Sequence, residues 1–193
     1  MDVIKIKLRK FNIIETQSED FMILERKNKR YILNKFNPST EEGKSIAYSY
    51  VKLRYSGVKF PRIYLLDEKR GYAVYEEVKG EKVSSILGKE DLPEDIYKQL
   101  FDNAYLAKIN KITLRYEPDC WFIKDGVLYY DYPVVIKYSE EKDLVKRYLR
   151  LWFNTKELQQ YLAKLDIFYD KNRLKDEYSV NKEMVLMTCK YYK

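Results

Sequence analysis

A chain of 193 residues, 46% hydrophobic and 35% charged, carries enough apolar material for a globular core without a disulfide or metal staple. It has no histidine, which excludes Ser-His-Asp and Cys-His catalysis and His-based zinc sites; Cys120 and Cys189 are too far apart for a metal motif and read as free thiols. The net charge of +7 favours anionic contacts, whether a nucleotide, a nucleic acid or an acidic protein.

In chain order, VIKIKL (3–8) alternates with period two, and FMILERKNKRYILNKF (21–36) reads as two strands joined at Lys27–Arg30. Asn37-Pro38-Ser39-Thr40 breaks the strand and offers caps for a helix over Glu41–Tyr55, which Ser56-Gly57 stops. A second strand pair covers 62–78, turning at Asp67–Gly71. Helical spacing then governs 84–88 and 93–109, and WFIKDGVLYYDY (121–132) is a hairpin with Asp125-Gly126 at its turn. The remainder reads as helical, with Leu144, Val145, Tyr148, Leu149 and Trp152 as an apolar stripe. Strands come first and helices later, so the expected class is α+β, with a strand-rich N-terminal lobe and a helical C-terminal lobe. No apolar run reaches the ~18 residues of a membrane span, and MDVIKIKLRK lacks a signal-peptide core, so the expectation is a cytoplasmic protein with no membrane partner. Abundant Lys, Glu and Tyr is a composition of hyperthermophile type, making a thermophilic source a further expectation.

GVKFPRIYLLDEKRGYAVYEEVKGEKVSSIL (57–87) resembles the strand pair, hinge and first C-lobe helix of small kinases, in the style of RIO kinases, the KEOPS kinase and aminoglycoside phosphotransferases. The resemblance covers roughly residues 12–135 and implies one bilobal kinase-like domain over 1–193, with an N-lobe to about residue 78 and a C-lobe over 79–193. It implies ATP and magnesium as cofactors. Lys35 would hold the α- and β-phosphates, Tyr75 would be the gatekeeper, and the Glu76 carbonyl and Val78 amide would bind adenine. Asp131 in LYYDYP matches the metal-binding aspartate.

The sequence also departs from that pattern. No glycine precedes Gly43, so the Gly-rich loop is missing and ETQSED (15–20) takes its place. Ile46 falls at the position of the helix glutamate, and Glu42, one turn earlier, is the candidate substitute. Arg115 stands at the catalytic aspartate and Cys120 at the metal-binding asparagine. An arginine cannot accept a proton, and a thiol is a poor magnesium ligand. Glu117 or Asp119 would have to supply the catalytic carboxylate. The implied function is a kinase-like nucleotide-binding protein, either a pseudokinase or a weak phosphotransferase, with an active minimal Ser/Thr kinase as the alternative. Further alternatives are a nuclease of PD-(D/E)XK type, from Glu117, Asp119, Asp131 and Lys137, and a basic nucleic-acid-binding protein.

Overall fold

The computed structural model describes residues 2–192, in which β1 (Val3–Ile6), β2 (Arg9–Thr16), β3 (Phe21–Arg26) and β4 (Lys29–Lys35) form successive antiparallel hairpins. After α1 (Glu41–Tyr55), β5 (Ile63–Asp67) and β6 (Tyr72–Glu76) complete a six-stranded sheet in the order β1-β2-β3-β4-β6-β5. The helix begins where the Thr40 hydroxyl accepts from the Gly43 amide at 3.0 Å, with Glu41 and Glu42 at its positive end. Period-two alternation divides the side chains of β4 between two faces. Tyr31 and Leu33 join Phe11, Leu24 and Val74 in a buried cluster on one face. Asn34 turns the other way and bonds Tyr50 of α1, whose ring lies 5.7 Å from that of Tyr75.

The sheet curls until strands distant in its order meet. Lys7, at the turn after β1, pairs with Asp67 at the end of β5 at 3.6 Å. Arg9 and Phe11 of β2 both reach Tyr64, and the bulge between Ile63 and Leu65 aims that ring.

The second compact unit takes up Ser56–Lys59 and the chain from Gly80 onward; the first holds the preceding residues and Phe60–Lys79. The short Ser56–Lys59 segment belongs there because the Lys59 amide donates to Asn103 Oδ1 and its carbonyl accepts from the Tyr130 amide, each at 2.8 Å. The elements of this unit are β7 (Glu81–Lys82), α2 (Val83–Leu87), α3 (Glu94–Ile109), β8 (Ile112–Thr113), β9 (Trp121–Lys124), β10 (Val127–Tyr130), β11 (Ile136–Lys137), α4 (Lys156–Lys164) and α5 (Glu177–Tyr191). The strands pair as β10-β9-β7 and β11-β8, around a core containing the fully buried Trp121, Trp152, Phe101 and Tyr130.

The chain is therefore mixed α+β. Two stretches differ from the sequence reading. Val3–Leu8 is not one strand: Lys7 takes φ 53 and turns the chain into β2, which the charged residues at 9–10 and 15–20 had masked. The C-terminal part is not uniformly helical. Leu144–Tyr148 is a π-turn followed by a 3₁₀ segment at Leu149–Trp152. The wider turn lets Leu144 and Leu149, five residues apart, both be buried, while Val145 and Tyr148 are only partly covered.

Candidate functional site

The chemistry-bearing residues of the second unit collect around the β9–β10 hairpin. Its turn residues Asp125 and Gly126 both take positive φ, at 50 and 73, as a two-residue hairpin requires. The strand before the turn is entered through a 3₁₀ turn at Pro118–Cys120, and the strand after it is followed at once by Asp131, whose amide donates to the Cys120 carbonyl at 2.8 Å. That bond sets Asp131 beside the segment 115–120. The Trp121 indole donates to the Arg115 carbonyl at 2.9 Å and the Tyr130 hydroxyl accepts from the Arg115 amide at 3.1 Å, fixing the segment from beneath.

Each carboxylate singled out in the sequence is engaged. The Lys82 ammonium donates to Asp131 Oδ2 and also to the Asp119 carbonyl, the latter at 2.9 Å. The Tyr161 hydroxyl donates to Asp119 Oδ1. Glu117 Oε1 accepts from the Arg115 guanidinium at 3.2 Å, and that guanidinium lies 4.7 Å over the Tyr132 ring. Glu117 Oε2 is buried with no hydrogen-bond partner.

The electrostatics follow from these contacts. Burial first, then Asp119, push the Cys120 thiol up to about 12, so it stays neutral at physiological pH. Burial and the bond to Asp119 raise Tyr161 far above an ordinary tyrosine. Burial opposes the Arg115 charge, but its bonds to Glu117 and Tyr132 outweigh that and hold it fully protonated. Magnesium binds through several oxygen ligands. Here Asp131 faces an ammonium group, its neighbour Cys120 is a neutral thiol, and no three acidic or cysteine side chains gather into a metal-holding group among the described residues. Of the one or two carboxylates that magnesium would use beside phosphate oxygens and waters, this segment offers Asp131, and Lys82 already engages it.

The remaining sequence candidates lie in the first unit. Lys35 ends β4 on the face opposite α1, and its ammonium donates to the Glu19 carbonyl at 3.3 Å. Glu42 lies exposed in the first turn of α1, and no ion pair joins it to Lys35 among the described residues. The strand residue that does meet α1 is Asn34, whose amide donates to the Tyr50 hydroxyl at 2.8 Å. Burial pushes that hydroxyl up to about 12. Glu76 ends β6, with its amide bonded to the Arg62 carbonyl at 3.0 Å, and Val78 follows, half-buried.

Sequence reasoning missed Lys82, Tyr161 and Asn34. Gly80 was the available signal for the first: a Cβ there would come within 2.4 Å of the Phe122 ring and 2.5 Å of the Ile123 carbonyl, so a glycine lets β7 close on β9 and delivers Lys82 to Asp131. No protein-family model matches the chain, and no curated protein matches its sequence.

Proposed function

We propose that this chain is a kinase-like protein whose phosphotransfer machinery has been replaced by internal pairings, a pseudokinase acting as an interaction module. The resemblance over 12–135 motivates the reading, and a strand-rich unit with one helix followed by a unit that holds the other helices and two small sheets is compatible with it. The observation that carries it is the Lys82 ammonium on Asp131. Phosphoryl transfer by kinases depends on metal ions neutralising phosphate charge and on a strand lysine paired with a helix glutamate. In this reading a side-chain cation faces the carboxylate that would hold the metal, and the neutral Asn34–Tyr50 bond stands in for the ion pair. Both carboxylates near the acceptor position are engaged through one oxygen, Asp119 by Tyr161 and Glu117 by Arg115, and the second Glu117 oxygen is buried.

With chemistry closed off, the net charge of +7 directs the module toward an acidic partner, and any nucleotide would bind without magnesium's help. Incubation with γ-labelled ATP, magnesium and generic protein substrates tests the reading. The expected result is no transfer above a protein-free control. Transfer that disappears in Asp131→Ala would overturn it.

A further inference from the structure

The curl of the six-stranded sheet leaves an open end, and that mouth holds a cavity of about 590 Å³. Its lining comes from β1, the ends of β4 and β6, and the turn between β5 and β6. Ile4, Ile6, Leu33 and Phe36 form an apolar floor, continuous with the buried cluster of Phe11, Leu24 and Val74.

The polar lining is strongly one-sided. Lys5, Lys7, Lys35 and Arg70 surround the cavity, and Asp20 is its one acidic lining residue. Asp67 stands behind them, 3.6 Å from the Lys7 ammonium and with the Arg70 amide on its other oxygen at 3.1 Å. Four cations therefore meet two carboxylates. The Lys35 ammonium uses a neutral carbonyl, that of Glu19, so its charge is not offset by that bond. Lys5 is exposed and forms no ion pair among the described residues, and Arg70, also exposed, hydrogen-bonds Tyr72 and lies in the field of Asp67.

We propose that this mouth binds a small phosphate-bearing molecule, its apolar body on the Ile4–Leu33 floor and its phosphate against Lys5, Lys35 and Arg70. The volume falls within the few-hundred-Å³ range of small-molecule pockets, and the mouth of a curled sheet is a common place for one. Ammonium and guanidinium groups supply the charge-assisted hydrogen bonds a phosphate needs. The cations ring a concavity with an apolar floor, whereas a nucleic-acid backbone is tracked by cations in a stripe. Because Leu33, Lys35 and Tyr72 lie on the sheet face turned from α1, the site is independent of the pseudokinase reading.

Phenyl phosphate is the probe, followed by amide chemical shifts and calorimetry at low salt. The expected result is saturable binding with shifts at Lys5–Lys7, Leu33–Phe36 and Arg70–Tyr72. Inorganic phosphate, lacking the apolar body, binds about tenfold more weakly. Arg70→Glu and the Lys5→Ala/Arg70→Ala double variant, both at exposed positions, weaken phenyl phosphate about tenfold or more, and Lys82→Ala leaves it unchanged. No saturation by about 10 mM probe, well beyond any specific small-molecule site, would overturn the proposal. So would equal affinity in the variants, or tight, salt-steep binding of an oligonucleotide with none of phenyl phosphate.

Discussion

Two polar regions of this molecule handle charge in opposite ways. Around the β9–β10 hairpin three carboxylates each have a partner: Asp131 has Lys82, Asp119 has Tyr161 and Glu117 has Arg115. At the mouth of the sheet four cations meet two carboxylates, and Lys5 has no ion pair among the described residues. A region whose charges satisfy one another has nothing left for a ligand or a metal, whereas an uncompensated cluster beside an apolar floor is kept open at an electrostatic cost. Richness in polar residues is thus a poor guide to function, and the matching of each charge is a better one.

The largest expected effect tests what supports the matched region. Trp121 is fully buried, and its indole holds the Arg115 carbonyl, so Trp121→Ala should cost about 3–5 kcal/mol in chemical denaturation. A loss under about 1 kcal/mol would show that the segment 115–120 is held otherwise. Gly80→Ala comes next. Its Cβ would meet the Ile123 carbonyl at 2.5 Å, and displacing backbone there should cost about 2 kcal/mol. Gly126→Ala meets nothing within 4 Å and bears only the strain of φ +73, about 1 kcal/mol. Equal losses would mean that β7 does not close tightly on β9, and Lys82 would lose its anchor.

A pH prediction follows from the neutral thiol. The folded value of Cys120, about 12, lies above the ordinary value of 9.0, so folding favours the protonated form. That contribution is fully present below pH 9 and is lost as pH rises toward 12, with Tyr50 acting in the same direction above pH 10. Stability measured across that window should fall, and less steeply in Cys120→Ala. At pH 8 a thiol reagent should label exposed Cys189 and spare buried Cys120; rapid labelling of both contradicts the closed site. The smallest effect is expected at the mouth, where Lys5→Ala/Arg70→Ala should shift stability by less than about 0.5 kcal/mol, because both residues are exposed.

The strand pairs, α1, α3 and the hairpin were legible because each has a period, a cap or a turn written locally, such as Thr40 before Glu41 and Asp125-Gly126. The order of strands in the sheet was not, since curling is a sum of twists and of two bulges, near Ile14 and near Tyr64. Within the site, Asp131 could be found from its place after a strand. Lys82 and Tyr161 could not: they reach Asp131 and Asp119 across 49 and 42 residues and sit in no motif. Asn34 and Lys35 are both polar at the end of one strand, and a single residue of register decides which meets α1.

The most direct measurement on the central claim is a calorimetric titration of ADP with and without magnesium, on the native chain and on Asp131→Ala. With Lys82 on Asp131, any effect of magnesium should come from its complex with ADP in solution and be the same in both proteins. Magnesium-dependent tightening that vanishes in Asp131→Ala would contradict the account, since that carboxylate would then be holding a metal rather than its own lysine.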